Sequence, residues 1–297
     1  YYFKLGRHQQ WLIDHIEANP EFVAPDYRRN EVLGFLKNNT LEDLCISRPK
    51  ERLTWGIPLP FDSDYVTYVW FDALTNYLSI PRARGEEAEL WPADIHVIGK
   101  DILKFHAVYW PIMLKAAGLA LPKQVLVHGW WQKDNQKMSK SIGNVVDPVA
   151  VIDDWGLDAF RYYVVRELAI GPDGNWTDES FANRYHAELA NGLGNLVNRS
   201  LSMLQRYRDG IVPLPHDDLA AESTATRDKL VTQLKPNQLQ AGLQTIWPDA
   251  DRAKAGNPSN DFHGTPFPIE AKHRKRWEIP KWVRLLRGAA GGDDRWA

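Results

Sequence analysis

The middle of the chain alternates between strand-like and helix-like spacing of its apolar residues. Tyr65-Val66-Thr67-Tyr68-Val69-Trp70 is β-branched and aromatic, bounded upstream by Asp62-Ser63-Asp64, and predicts a strand. A helical stretch follows through Tyr77. Ile95-His96-Val97-Ile98 predicts a second strand, closed by Gly99-Lys100-Asp101, with a helix over about 102–117. After a turn at Leu121-Pro122, Gln124-Val125-Leu126-Val127 predicts a third. Strand and helix in alternation, joined by short connections, argue for an α/β fold with a parallel, doubly wound sheet. Such sheets bind ligands beyond the carboxyl ends of their strands. Residues 70–77, 99–101 and 128–131 are therefore expected around one crevice.

The flanks differ from this centre. Residues 1–60 carry helical periodicity at Trp11-Leu12 and Ile16, and again at Val32-Leu33 and Leu36. They end in the breaker run Gly56-Ile57-Pro58-Leu59-Pro60, too short and interrupted a stretch for a domain of its own. Past residue 175 the chain turns helical. Thr177-Asp178-Glu179-Ser180 is a helix-start signal. Leu189, Leu193, Leu196, Val197, Ser200 and Leu204 then form an apolar stripe on a long helix. A second, weaker helix is expected over about 226–247. Beyond Trp247, Leu, Ile and Val become sparse, Pro and Gly frequent, and no period survives. A poorly ordered tail is expected there, with Lys272 to Arg276 as a solvated basic run.

Composition narrows the reading. At 297 residues the length suits about two domains. A formal net charge of −2 gives no overall basic field, so any nucleic-acid site must be local. The single cysteine, Cys45, excludes an internal disulfide framework and a multi-cysteine zinc site. Without a long apolar run or a signal peptide, the expectation is a soluble, cytoplasmic protein with no membrane contact.

The most specific chemistry is Lys137-Met138-Ser139-Lys140-Ser141, followed by Ile142-Gly143-Asn144. Two lysines three residues apart, with hydroxyls and a glycine, suit a mobile loop that neutralises charge developing on a polyphosphate. A second constellation is aromatic. Trp70, Ala73, Leu74 and Tyr77 have helical spacing after a strand end, and His106 and Trp110 share a helix face as an i, i+4 pair. Together they would form an aromatic cup with one hydrogen-bonding tip, which suits a soft thioether. The tripeptide at 99–101 is consistent with a ribose site and equally with any tight strand end. Asn191, Asn195 and Arg199 are consistent with an RNA-facing stripe and equally with a solvated helix face.

The lysine loop is the signature of class I aminoacyl-tRNA synthetases, and its surroundings resemble the methionyl-tRNA synthetase family from Tyr1 to about Trp247. The resemblance rests on Arg28-Arg29-Asn30-Glu31-Val32, Trp55-Gly56-Ile57-Pro58, Tyr68-Val69-Trp70-Phe71-Asp72-Ala73-Leu74, Gly99-Lys100-Asp101-Ile102, Phe105-His106, Tyr109-Trp110-Pro111 and His128-Gly129-Trp130-Trp131. It implies an ATP-dependent methionine–tRNA ligase using Mg2+, with methionine, ATP and tRNA(Met) as partners. Lys137 and Lys140 would be catalytic, and Lys140 the more important. Gly99, Asp101, His128, Gly129, Trp130, Lys137, Ser139 and Lys140 would bind ATP. Trp70, Ala73, Tyr77, Ile102, His106 and Trp110 would line the methionine pocket, and Asn195 and Arg199 would contact the anticodon.

The resemblance also implies an organisation. Residues 1–60 resemble the return from a connective region, 61–175 the second half of a Rossmann-like catalytic domain, 176–247 part of a helical anticodon-binding bundle, and 248–297 a divergent tail. The family's other signature, His-Ile-Gly-His, is nowhere in the chain. The zinc knuckle of the connective region has no counterpart either, so no metal site is expected. These departures favour a fragment with little or no activity alone and a reading frame disrupted near residue 247. An inactive RNA-binding piece and a class I synthetase for another aliphatic amino acid are the alternatives.

Overall fold

A computed structural model describes residues 1–212, 220–235 and 237–245. In chain order the elements are β1 (Tyr2–Phe3), α1 (Gln9–Ala18), β2 (Val23–Ala24), α2 (Asp26–Asn38), β3 (Leu44–Cys45), β4 (Ser47–Pro49), β5 (Pro58–Leu59) and β6 (Asp62–Thr67). Next come α3 (Val69–Ala73), α4 (Asn76–Arg84), α5 (Glu87–Leu90), β7 (Ile95–Gly99), α6 (Trp110–Ala116), β8 (Gln124–His128), β9 (Trp131–Lys133) and β10 (Gln136–Lys137). The last are α7 (Pro148–Trp155), α8 (Leu157–Glu167), β11 (Gly174–Trp176), α9 (Asp178–Arg184), α10 (Asn195–Arg208) and α11 (Ala220–Leu234).

The parallel sheet has the order β2-β8-β7. Its register pairs Ile95 with Gln124 and Gly99 with His128, so β7 and β8 end level with one another. The tripeptide after β7 and the His128-Gly129-Trp130 segment therefore emerge side by side, as the strand-end argument requires. The largest core packs against this sheet. Leu12, Ile13 and Ile16 of α1 and Val32 and Leu36 of α2 meet Val125 and Val127 of β8 and Ile98 of β7. These are the i, i+3 and i, i+4 faces of the two helices laid on alternate strand positions. The strand β2, which pairs Val23 with Val125, has no alternation long enough to be read from sequence.

One strand differs from expectation. The chain around residue 65 forms β6 over Asp62–Thr67 and pairs antiparallel with both β4 and β5, outside the parallel sheet. Tyr68 to Trp70, expected to continue that strand, instead opens α3. The breaker run at Gly56–Pro60 is the cause: it turns β5 back onto β6, and a hairpin-scale return enforces antiparallel pairing.

A third sheet, β10-β9-β11, carries the lysine loop. Asp134 and Asn135 join β9 to β10 with φ of 51° and 62°, the left-handed pair that a tight hairpin needs. Behind it lies a core of Ala159, Tyr163, Trp176 and Phe181. The long helix starts as expected, with the Thr177 side chain accepting the Ser180 N–H. A π-helical stretch at Tyr185–Gly194 interrupts it before α10. Leu193, Leu196 and Val197 of the apolar stripe are exposed, whereas Leu189 at its start packs against the Tyr163–Trp176 core. The second helix begins earlier than expected and is divided: α11 runs from Ala220 to Leu234, and the chain is helical again over 239–245. The tail, its basic run and the proposed frame disruption lie outside the described residues.

Candidate active site

Trp130 joins the two strand ends. Its indole Nε1–H donates to Asp101 Oδ1 at 3.3 Å, and its backbone N–H donates to Asp173 Oδ1 at 2.9 Å. Lys100 Nζ lies 2.6 Å from Asp173 Oδ2 and 4.2 Å from the Trp130 ring centroid. Lys137 Nζ sits over the same ring at 4.0 Å. The Lys100 ammonium and the Trp130 N–H hold the Asp173 carboxyl below the usual carboxylate range. Gly129 is required sterically by the backbone that faces it, while Gly99 faces only the Asp101 carboxylate. A Cβ on Gly129 would come 2.0 Å from the Pro172 carbonyl oxygen, and one on Gly99 would come 2.7 Å from Asp101 Oδ1. Gly129 thus lets the 171–174 turn close over β8, while His128 is exposed with its Nδ1 2.7 Å from the Gly129 carbonyl.

The lysine loop folds on itself. The Ser139 N–H donates to Asn144 Oδ1 at 2.8 Å, Asn144 Nδ2 donates to the Lys137 carbonyl at 3.2 Å, and the Ser139 and Ser141 hydroxyls are 2.7 Å apart. Gly143 closes the turn at φ +74°. Met138 packs against the Tyr163–Trp176 core, while Lys137 and Lys140 on either side stay exposed. One apolar anchor between two solvated ammonium groups leaves both free to reach an anion. Lys137 rests on Trp130; Lys140 has no ion pair among the described residues.

The aromatic cup forms around a buried hydrogen-bond chain. His106 lies in a π-helical turn, Phe105–Tyr109, and is 2% exposed. Its Nδ1 is 3.0 Å from the Ile102 carbonyl, which can only accept, so Nδ1 carries the proton. Nε2 is then the acceptor for the Tyr77 hydroxyl at 2.9 Å. Burial pushes the His106 imidazole below its ordinary value and the Tyr77 phenol above its own. Trp70 stacks on Phe105 at 4.0 Å and meets His106 edge-on at 6.3 Å. Trp110 completes the group, 6.3 Å from Tyr77. Ile102 contributes its carbonyl, while its side chain packs on the large core. Ala73 is half-buried at the end of α3.

His96 also belongs here and was not among the residues expected from sequence. Its Nε2 accepts the Trp110 Nε1–H at 3.3 Å, and its ring lies 4.2 Å from that of Tyr77. Burial, with the nearby His106 second, lowers its pKa to about 4. The signal was present in Ile95-His96-Val97-Ile98: strand alternation puts His96 beside Ile98 on the buried face.

Asn195 and Arg199 are exposed on α10, and among the described residues no hydrogen bond or ion pair joins them to the crevice. Among the described residues, no group of three His, Cys, Asp or Glu side chains converges to hold a metal ion, and no helix is long and apolar enough to cross a membrane.

The chain is similar to known proteins. The family described as "tRNA synthetases class I (M)" matches residues 1–201. A methionine–tRNA ligase of Clostridium tetani is 44% identical over 263 residues, covering 85% of this chain and 41% of its own length. One from Rhizobium meliloti is 48% identical over 237 residues, covering 78% and 45%. The crystal structure of Mycobacterium tuberculosis methionyl-tRNA synthetase bound by methionyl-adenylate superposes with a TM-score of 0.77 at 42% identity, covering 86% of this chain and 52% of that one. The chain thus spans about half the length of the relatives it matches. With the lysine loop, the level strand ends and the aromatic cup all inside the matched segment, the chain belongs to the class I tRNA synthetases of the methionine (M) family.

Proposed function

We propose that this chain carries the methionine cup, the adenosine-facing strand ends and the lysine loop of a cytoplasmic methionine–tRNA ligase. The observation that carries this reading is the Ile102–His106–Tyr77 hydrogen-bond chain walled by Trp70 and Trp110. It presents ring faces and sulfur-compatible surface in place of the aliphatic sleeve a branched side chain needs. The Mycobacterium tuberculosis relative is described with methionyl-adenylate, and the same intermediate is proposed here.

In the proposed reaction a methionine carboxylate oxygen attacks the α-phosphorus of ATP. The bond to the bridging oxygen breaks, and pyrophosphate leaves. Lys140, with no ion pair among the described residues, and Lys137, resting on the Trp130 ring, neutralise the charge that builds on the phosphates. Asp101 accepts the ribose hydroxyls, Gly99 admits the sugar, and His128, Gly129 and Trp130 border the adenine. Ser139 helps to shape the loop. Mg2+ would arrive on the triphosphate, where it offsets phosphate charge. A hydroxyl of the terminal ribose of tRNA(Met) then attacks the methionyl carbonyl carbon, the bond to the adenylate oxygen breaks, and AMP leaves as the hydroxyl proton passes to its phosphate. Asn195 and Arg199 would contact the anticodon of that tRNA through amide hydrogen bonding and guanidinium stacking. We assign 1–60 to the return from the connective region, 61–175 to the second catalytic half and 176–247 to part of the anticodon-binding bundle.

The test is ATP–pyrophosphate exchange by the chain alone and joined to the part of the Clostridium tetani relative that it does not cover. The chain alone is expected at background. The fusion is expected to exchange only with methionine and to lose at least a hundredfold in Lys140→Ala. A folded fusion that prefers leucine or valine, or one indifferent to Lys140→Ala, overturns the reading.

A further inference from the structure

We propose that His96 is a specificity-determining positioning residue of the cup: by accepting the Trp110 indole N–H it fixes that ring and keeps its donor away from the bound side chain. The inference rests on the reading of the cup as the methionine site. His96 and Trp110 are 4% and 2% exposed, so neither N–H nor acceptor is compensated by solvent. The Nε2–Nε1 distance is 3.3 Å. The nearby Trp91, whose ring is 5.9 Å from that of Trp110, has a buried indole N–H with no acceptor, so the one lone pair of His96 Nε2 serves Trp110 selectively. The same imidazole supports Tyr77 at 4.2 Å and lies edge-on to His106 at 6.3 Å. Its depressed pKa keeps it neutral at physiological pH, as an acceptor must be.

The two histidines thus divide the work. His106 takes the Tyr77 O–H and His96 takes the Trp110 N–H. A thioether needs neither donor. An oxygen-bearing analogue such as methionine sulfoxide enters with a strong acceptor and finds both donors already occupied, so it loses its water without replacement. Removing the acceptor at position 96 frees the Trp110 N–H for such an oxygen and loosens the ring that methionine packs against.

Calorimetric titration of the chain with methionine and with methionine sulfoxide, for wild type, His96→Phe and His96→Gln, tests this. In His96→Phe the preference for methionine is expected to fall at least tenfold, with ATP affinity unchanged. His96→Gln, which restores an acceptor oxygen, is expected to keep the preference within threefold of wild type. A Phe variant with the wild-type preference overturns the proposal and leaves the cup intact. If the folded wild-type chain binds neither methionine nor a methionyl-adenylate analogue, the cup reading itself fails and this inference falls with it. Should the Phe variant not fold, the wild-type Trp110 indole N–H resonance decides. A downfield, slowly exchanging signal is expected, and rapid exchange with solvent refutes the proposal.

Discussion

Acid should unfold this protein through the histidine beneath its cup. Burial lowers the His96 pKa from 6.5 to about 4. At neutral pH both the folded and unfolded chains hold the ring uncharged. Below pH 6.5 the unfolded chain binds a proton that the folded chain refuses until about pH 4, so stability is lost as pH falls through that window. At about 1.4 kcal/mol per pH unit, the gap is worth at most about 3.5 kcal/mol, of which about 2 kcal/mol is gone by pH 5. His106 and His15 are displaced in the same direction by burial, so the wild-type slope includes all three rings. Urea unfolding at pH 7.5, 6.5, 5.5 and 5.0, in wild type and His96→Gln, separates them. The wild type is expected to lose about 2 kcal/mol more than the variant between pH 7.5 and 5.0. Curves parallel to within about 0.5 kcal/mol would refute the burial argument for His96.

Three further perturbations act on other links. Tyr77→Phe removes the donor to His106 Nε2 and leaves a buried acceptor unpaired; we expect about tenfold weaker methionine binding, or about 1.4 kcal/mol, by calorimetry, and wild-type affinity would count against the hydrogen-bond chain. Trp130→Leu deletes the ring face under Lys137, a contact of about 0.5–1 kcal/mol at an exposed site, so limited trypsin digestion should cleave the loop about two- to fivefold faster, and an unchanged rate would exclude Trp130 as its resting place. Gly129→Ala puts a Cβ 2.0 Å from the Pro172 oxygen and should lower the melting temperature by several degrees, whereas a wild-type melt would mean the 171–174 turn moves aside freely.

Much of this site is legible in the sequence because it depends on local spacing. Strand ends marked by Gly99 and His128, the i, i+4 pair at His106 and Trp110, and the five-residue lysine loop are each set by a few neighbouring residues. What escaped depends on contacts far apart in the chain. The antiparallel placement of β6 follows from where residues 47–49 and 58–59 return, which the alternation of residues 65–70 does not encode. The strand β2 contributes two residues whose identity as a strand comes from pairing with β8. His96 alternates correctly for a buried strand position, yet its acceptor role appears only once α6 lays Trp110 across it. Asp173 likewise acts through Lys100 and Trp130, residues 73 and 43 positions away.

The central claim is that these residues form a methionine-selective adenylate site, and one titration tests it most directly. Non-hydrolysable sulfamoyl analogues of methionyl-, leucyl- and valyl-adenylate would be titrated into the folded chain. The account predicts that the methionyl analogue binds at least tenfold more tightly than the other two and that Tyr77→Phe erases most of that margin. Equal affinity for all three, or a preference for leucine or valine, would contradict it.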